Sequence, residues 1–143
     1  MVPVTTPETQ TDLDDAIALL QTELNRLDRA AADDLDVGSA EDLQILRLLA
    51  TFGPMRVGRI ADVRSAGKAT VSARVDRLER KDLLSRDRDP GDRRAVVVGL
   101  TPLGRSKAAA SRTTRRDRLR PISDARHAET VTAIVAALRN DGS

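Results

Sequence analysis

The sequence predicts a mainly α-helical domain with one small β-hairpin, and three observations carry that prediction. Apolar residues recur at helical spacing in six segments separated by Gly, Pro and Ser breaks. One stretch departs from that period: Arg88-Asp89-Pro90-Gly91-Asp92-Arg93-Arg94 is a polar turn, and Val96-Val97-Val98 behind it is a strand. Thr101-Pro102 then restarts a helix, with an N-cap followed by proline at the first helical position.

Taken in order, residues 1–10 hold Pro3 and Pro7 and are expected as a flexible tail. A helix of about 11–35 begins with Thr11 as N-cap, and Asp12, Asp14 and Asp15 suit the positive end of its dipole. Its Leu13, Ile17, Leu20, Leu24, Leu27 and Ala31 are spaced alternately four and three apart, a heptad seam that must bury against another helix of the same chain or of a partner. Ser39-Ala40-Glu41-Asp42 resembles a capping box with Asp in place of Glu. The helix it opens carries Leu43, Ile45, Leu46, Leu48, Leu49 and Phe52, apolar over much of its circumference, and is expected to be the core helix. Gly53-Pro54 ends it, and a short helix follows with Val57, Ile60 and Ala61 on one face.

After a turn at Arg64–Gly67, the spacing predicts a helix over Lys68–Asp82 with a narrow buried stripe of Val71, Val75 and Leu78. At about 100° per residue, Ala69, Ala73, Asp76 and Arg80 point the opposite way, with Thr70 and Arg77 on the flank. The hairpin comes next. The helix opened by Thr101 is polar apart from Ala108, Ala109 and Ala110, and Pro121 breaks it near Arg120. Ser123 can cap a last helix with Val131, Ile134, Val135 and Leu138 on its apolar side. A short helix, a turn and a second helix with a narrow stripe make a helix-turn-helix. The hairpin directly behind it is a wing, and the two form one DNA-reading unit over about 40–101.

Composition excludes several classes of function. With no cysteine there is no disulfide, thiolate metal site or thiol sensor. His127 is the only histidine, too few for an ordinary zinc site, and is expected at the surface or a helix end. Phe52 is the only aromatic residue, so base stacking on aromatic platforms is not expected. No apolar run reaches the ~20 residues that span a bilayer, and the start lacks a signal pattern, so a soluble cytoplasmic protein without membrane partners is expected. Paired carboxylates in an apolar setting, a nucleophile–His pair and a phosphate-cradling glycine loop are all missing, so no catalytic residue, metal or cofactor is expected and the protein is not read as an enzyme.

Charge is divided along the chain. Residues 1–42 carry eleven acids against two arginines, a net of −9, and residues 43–143 carry a net of +11. Such asymmetry points to a polyanion partner. The basic cluster Arg112, Arg115, Arg116, Arg118 and Arg120 has two readings: contact with DNA phosphates, or pairing with the acidic first helix of the same dimer.

In Val75-Asp76-Arg77-Leu78-Glu79-Arg80-Lys81-Asp82-Leu83-Leu84, Asp89-Pro90-Gly91-Asp92-Arg93-Arg94 and Leu100-Thr101-Pro102-Leu103-Gly104-Arg105 the chain resembles the MarR family, the multiple antibiotic resistance regulators. Gly53–Gly58 through Thr70-Val71-Ser72 adds a looser match, so the resemblance covers about residues 53–105. It implies one winged helix-turn-helix domain over 11–143, acting as an obligate homodimer. Helices 11–35 and 102–140 would build the dimer base, with Leu13, Ile17, Leu20, Leu24, Val131, Ile134, Val135 and Leu138 as dimerisation residues. Two lobes would then straddle a pseudo-palindromic operator with recognition helices ~34 Å apart. The DNA-facing positions it implies are Arg56, Gly67, Lys68, Ala69, Thr70, Ser72, Ala73 and Arg77, with Gly91, Asp92, Arg93 and Arg94 at the wing. Arg94 matches the arginine that enters the minor groove, where a narrow A·T-rich groove has an enhanced negative potential. Arg93 would reach phosphate, and Asp92 would orient an arginine, either Arg94 or Arg77.

Arg64, Gly67, Ala73 and Arg74 depart from the family's pattern. Arg64 must snorkel or shift the turn. Glycine at 67 is an acceptable cap. Ala69 and Ala73 permit close approach and can touch a thymine methyl group but cannot hydrogen-bond a base. The resemblance implies a sequence-specific transcriptional regulator of double-stranded DNA, a repressor relieved by a small phenolic or lipophilic effector. The alanine face motivates the alternative, a non-specific nucleoid-like DNA-binding protein.

Overall fold

The helical periods become six α-helices and the polar turn becomes a hairpin in a computed structural model of the chain, which describes residues 7–122 and 124–140. In order they are α1 (Pro7–Asp34), α2 (Ala40–Phe52), α3 (Val57–Arg64), α4 (Lys68–Arg80), β1 (Leu84–Asp89), β2 (Asp92–Leu100), α5 (Pro102–Leu119), a 3-10 turn (Arg120–Ile122) and α6 (Ala125–Asn140). α1 starts at Pro7 rather than at Thr11, so the expected tail loses residues 7–10; residues 1–6 lie outside the described residues. Proline suits a first helical turn, where an N–H would have no partner in any case. No described helix is long and apolar enough to cross a membrane.

The chain divides into two units, Met1–Ser111 and Arg112–Ser143, with the boundary inside α5. The core of the first unit is centred on α2, whose Leu43, Ile45, Leu46 and Leu49 are buried with Ile60 of α3. Val71, Val75 and Leu78 are the buried stripe of α4, as their spacing predicts. Burying each contributes about 1.5–3 kcal/mol. Phe52 does not join this core: it is the last residue of α2, 69% exposed, just before Gly53 closes the helix at φ 81° with its N–H on the Leu49 carbonyl.

α1 meets α2 through Ala31, Ala32 and a buried ion pair. Asp28 accepts from Arg47 Nη2 at 2.6 Å and from Gln44 Nε2 at 2.9 Å. Gln44 Oε1 in turn accepts from Arg64, so Arg64 lies along α2 and its polar head is satisfied there.

β1 and β2 pair antiparallel from Leu84↔Leu100 to Arg88↔Val96, and Asp89 opposes Asp92 across a register shift. On the far side of β2, Met55 and Val98 exchange both backbone bonds, at 3.0 and 2.7 Å, and fasten the hairpin base to the residues before α3. Thr101 caps α5 as expected, with its Oγ1 accepting from Gly104 N–H at 3.0 Å and donating to the Asp82 carbonyl at 2.6 Å. Gly104 lies flush on the chain entering β1: a Cβ there would stand 2.0 Å from the Leu83 carbonyl oxygen.

In the second unit, Arg120 pairs with Asp117 at 2.8 Å and α6 buries none of its residues. The expected cap Ser123 lies outside the described residues. Asp124 caps α6, accepting the His127 N–H at 2.9 Å, and His127 Nδ1 lies 2.5 Å from the same oxygen. The Asp124 carboxyl is held below its ordinary range, first by that backbone N–H and then by the imidazole. His127 is the helix-end histidine its place in the sequence suggests.

Candidate nucleic-acid interface

The solvent face of α4 is built by its narrow stripe. With Val71, Val75 and Leu78 turned inward, Lys68, Ala69, Thr70 and Ala73 are exposed and Ser72 is half-buried. Gly67 caps the helix through its extended backbone, without a side-chain bond. Ser65 in the left-handed region, φ 49°, makes the turn between α3 and α4. Ala69, Thr70, Ala73, Arg74 and Arg77 line a shallow depression on this face. Ala69 and Ala73 contribute methyl groups to it, and Arg74 and Arg77 contribute the cationic groups.

Those cations are not free. Asp42, on the first turn of α2 and essentially without solvent, accepts Arg77 Nη2 at 3.0 Å on both carboxylate oxygens. It also accepts Arg74 Nη1 at 3.2 Å, and the same nitrogen donates to Ser39 Oγ at 3.1 Å. The expected capping box is therefore half made. Ser39 Oγ does accept the Asp42 N–H at 3.1 Å, but the Asp42 side chain turns toward α4. Gly38 makes room for it: at φ 124°, a Cβ there would come within 2.9 Å of Asp42 Oδ2. Arg74, one of the departures from the resemblance, is the second guanidinium of this node. Arg77 lies on the flank as expected, but part of its fork serves Asp42 rather than facing solvent.

Farther along α4, Asp76 and Glu79 would repel a polyanion. Arg86 of β1 covers both, 2.5 Å from Asp76 Oδ1 and bonded to Glu79. Its guanidinium is held above its ordinary value, first by the hydrogen bond to Asp76 and then by the charges of Glu79 and Asp76.

The hairpin tip is built on Asp89. Its Oδ1 accepts the Gly91 N–H at 2.9 Å, the local turn that Asp favours. Its Oδ2 accepts Arg56 Nε at 2.9 Å and Nη2 at 2.7 Å. The Asp89 carboxyl is held below its ordinary range, first by the Gly91 N–H and next by Arg56. Asp92 Oδ1 accepts the Arg94 backbone N–H at 3.1 Å, and its other oxygen lies 3.9 Å from Arg56. Arg88 donates to the Arg93 carbonyl at 2.9 Å. The side chains of Arg93 and Arg94 are exposed and have no hydrogen-bond or ion-pair partner among the described residues. Two free guanidinium groups thus stand on a turn whose backbone is held from both strands.

Asp92 bonds neither of the guanidinium groups expected for it: it accepts the Arg94 backbone N–H and has Arg56 as its nearest cation, while Arg77 pairs with Asp42. Arg56, expected among the DNA-facing residues, has Nε and Nη2 on Asp89. Lys68, Ala69, Thr70, Ala73, Gly91, Arg93 and Arg94 are exposed. Asp42, Asp89 and Arg86 shape this surface and are not among the DNA-facing residues expected from sequence. Asp89 had a local signal, since Asp before Pro-Gly is a turn former whose side chain bonds its own backbone.

A family model described as "MarR family" matches residues 39–96. Over 83 residues the chain is 36% identical to the uncharacterized HTH-type transcriptional regulator YcgE of Bacillus subtilis (strain 168), 58% of this chain and 49% of that protein. The chain spans about half the length of the curated relatives it matches. The transcriptional regulator BldR from Sulfolobus solfataricus has the same fold, with TM-score 0.76 and 23% identity over 98% of this chain and 99% of that one. A mutant MarR from E. coli complexed with operator DNA superposes with TM-score 0.69 and 20% identity over 89% and 93% of the two chains.

Proposed function

We propose that this chain, whose residues 39–96 match the MarR family model, is a winged helix-turn-helix transcriptional regulator that binds double-stranded DNA as a homodimer and reads a pseudo-palindromic operator. One observation carries the reading. Arg93 and Arg94 stand free on a hairpin tip held by Asp89, Asp92 and Arg56, behind a helix whose central solvent face is alanine. Cations on a narrow, held ribbon suit a groove of enhanced negative potential, and a methyl-faced helix suits close approach to a major groove. In this reading Lys68, Thr70 and Ser72 serve phosphates and base edges from the first turns of α4, and Arg94 enters the minor groove.

Dimerisation is supported by apolar surface. Leu13, Ile17 and Leu20 on α1 and Val131, Ile134, Val135 and Leu138 on α6 are all exposed at helical spacing in the single chain. Such residues bury against a second copy. Repression, relieved by a small phenolic or lipophilic molecule, is the regulation that the family resemblance implies.

Competition binding at fixed salt tests the proposal. A palindromic site selected from a random pool is expected to outcompete random duplex by well over tenfold, about 1.4 kcal/mol. A smaller ratio favours the second reading, a nucleoid-like coater, which the absence of hydrogen-bonding groups on Ala69 and Ala73 would explain.

A further inference from the structure

We infer that Arg56 and Asp89 form a brace that sets the pose of the wing tip, making Arg56 a positioning residue that acts on DNA through Arg93 and Arg94 rather than by touching it. The inference rests on the DNA-binding reading above and assigns a different role to one of that reading's own cations.

The geometry has three parts. A two-stranded hairpin is marginal on its own and needs an outside attachment to hold one pose. The Met55–Val98 bridge supplies one attachment near the hairpin base. Arg56, the next residue, supplies a second through the paired bonds to Asp89 Oδ2 at 2.9 and 2.7 Å. Val98 lies opposite Arg86, three residues before Asp89. At ~3.3 Å per residue the two attachments are therefore roughly 10 Å apart along the ribbon. One bridge is a hinge, and a second point at that distance removes the swing. Asp89 serves both sides of the joint, because its remaining oxygen holds the Gly91 N–H inside the turn. Arg56 has no competing local duty: it is the N-cap residue of α3 and makes no side-chain capping bond.

The charges make the inference sharp. Asp89 and Asp92 put two carboxylates on a surface meant for a polyanion. By field alone, removing either should strengthen binding. The brace predicts the reverse for Asp89. If Arg56 contacted phosphate directly, Asp89→Asn would release it for that work and tighten binding further.

The test uses the full chain and its selected site, with A·T flanks and with G·C flanks, over a salt series. Amide exchange of Gly91 is followed in the DNA-free protein. Asp89→Asn and Arg56→Gln are each expected to weaken binding at least fivefold, to reduce the A·T-flank preference to a similar extent, and to speed Gly91 exchange at least fivefold. The double variant should be no weaker than the worse single. Asp87→Asn, an exposed carboxylate on β1, should bind slightly tighter and marks the field effect. Equal or tighter binding by Asp89→Asn overturns the brace. So does a fall of about 0.9 in the salt slope for Arg56→Gln with Gly91 exchange unchanged, the signature of a lost phosphate contact. If wild type shows no site preference while Gly91 exchange still responds, the operator reading fails and takes the recognition role with it, leaving the brace a feature of the free wing.

Discussion

Replacing Asp42 by alanine is the most demanding test of how α4 is held. The carboxylate is 1% exposed and accepts three guanidinium hydrogen bonds, two from Arg77 and one from Arg74. Removing one partner of a fully buried pair costs about 3–5 kcal/mol. An exposed pair is worth about 0–1 kcal/mol. The arginine side chains here are 27% and 44% exposed, so once released they regain part of their hydration. The loss should fall between those limits, at roughly 2–3 kcal/mol. For a chain of this length that is a drop of roughly 6–12 °C in Tm. Calorimetry or thermal circular dichroism measures it. Two controls isolate the cause. Glu41→Gln, at the exposed position of the same first turn of α2, should cost only about 0.3–1 kcal/mol from the helix dipole. A double-mutant cycle of Asp42→Ala with Arg77→Ala should show a coupling of about 1 kcal/mol or more. A Tm for Asp42→Ala within 2 °C of wild type (about 0.5 kcal/mol), or additive energies in the cycle, would refute a node that holds α2 to α4.

Arg94→Ala should weaken operator binding at least tenfold, about 1.4 kcal/mol, and flatten the preference for A·T flanks; unchanged affinity in a titration would remove Arg94 from the groove. Leu20→Asp places a charge on the half-exposed α1 seam and should yield folded monomers by sedimentation; a full dimer would show that this seam is not the interface. Gly104→Ala drives a methyl group against the Leu83 carbonyl and should cost about 1–3 kcal/mol in urea unfolding, with wild-type stability contradicting the close approach. Wing order should also depend on pH. The Asp89 carboxyl is depressed in the folded chain from an unfolded value of 3.8. The stabilisation its anion confers, with Arg56 and Asp92 as the facing charges, is therefore fully present above pH 4–5 and disappears only as pH falls through the lower folded value. The Gly91 amide shift should stay flat from about pH 5 to 7 and move below pH 4; a midpoint at or above 3.8 would contradict the sign.

What local pattern determines was open to inspection in the sequence. The stripe Val71, Val75, Leu78, the breaks at Gly53-Pro54 and Arg64–Gly67, the Thr101-Pro102 cap and the Pro90-Gly91 turn all act over four residues or fewer, and each forms where its spacing puts it. The wing arginines were legible for the same reason, since nothing within a turn of Arg93 or Arg94 needs them.

The fate of the other charges was decided elsewhere. Arg77 and Asp42 are 35 residues apart, and Arg56 and Asp89 are 33 apart. In sequence each of these arginines reads as one more cation available to a polyanion. Whether it is available depends on a carboxylate that only the packing of α2 on α4, or of the hairpin on the α3 start, brings within 3 Å. Helical period and turn chemistry are short-range and can be read residue by residue. Ion pairing follows three-dimensional distance, and chain order does not encode it. The sequence by itself therefore determined the elements and the wing. The tertiary structure decided which cations stand free at the surface and which are held by buried or turn-forming carboxylates.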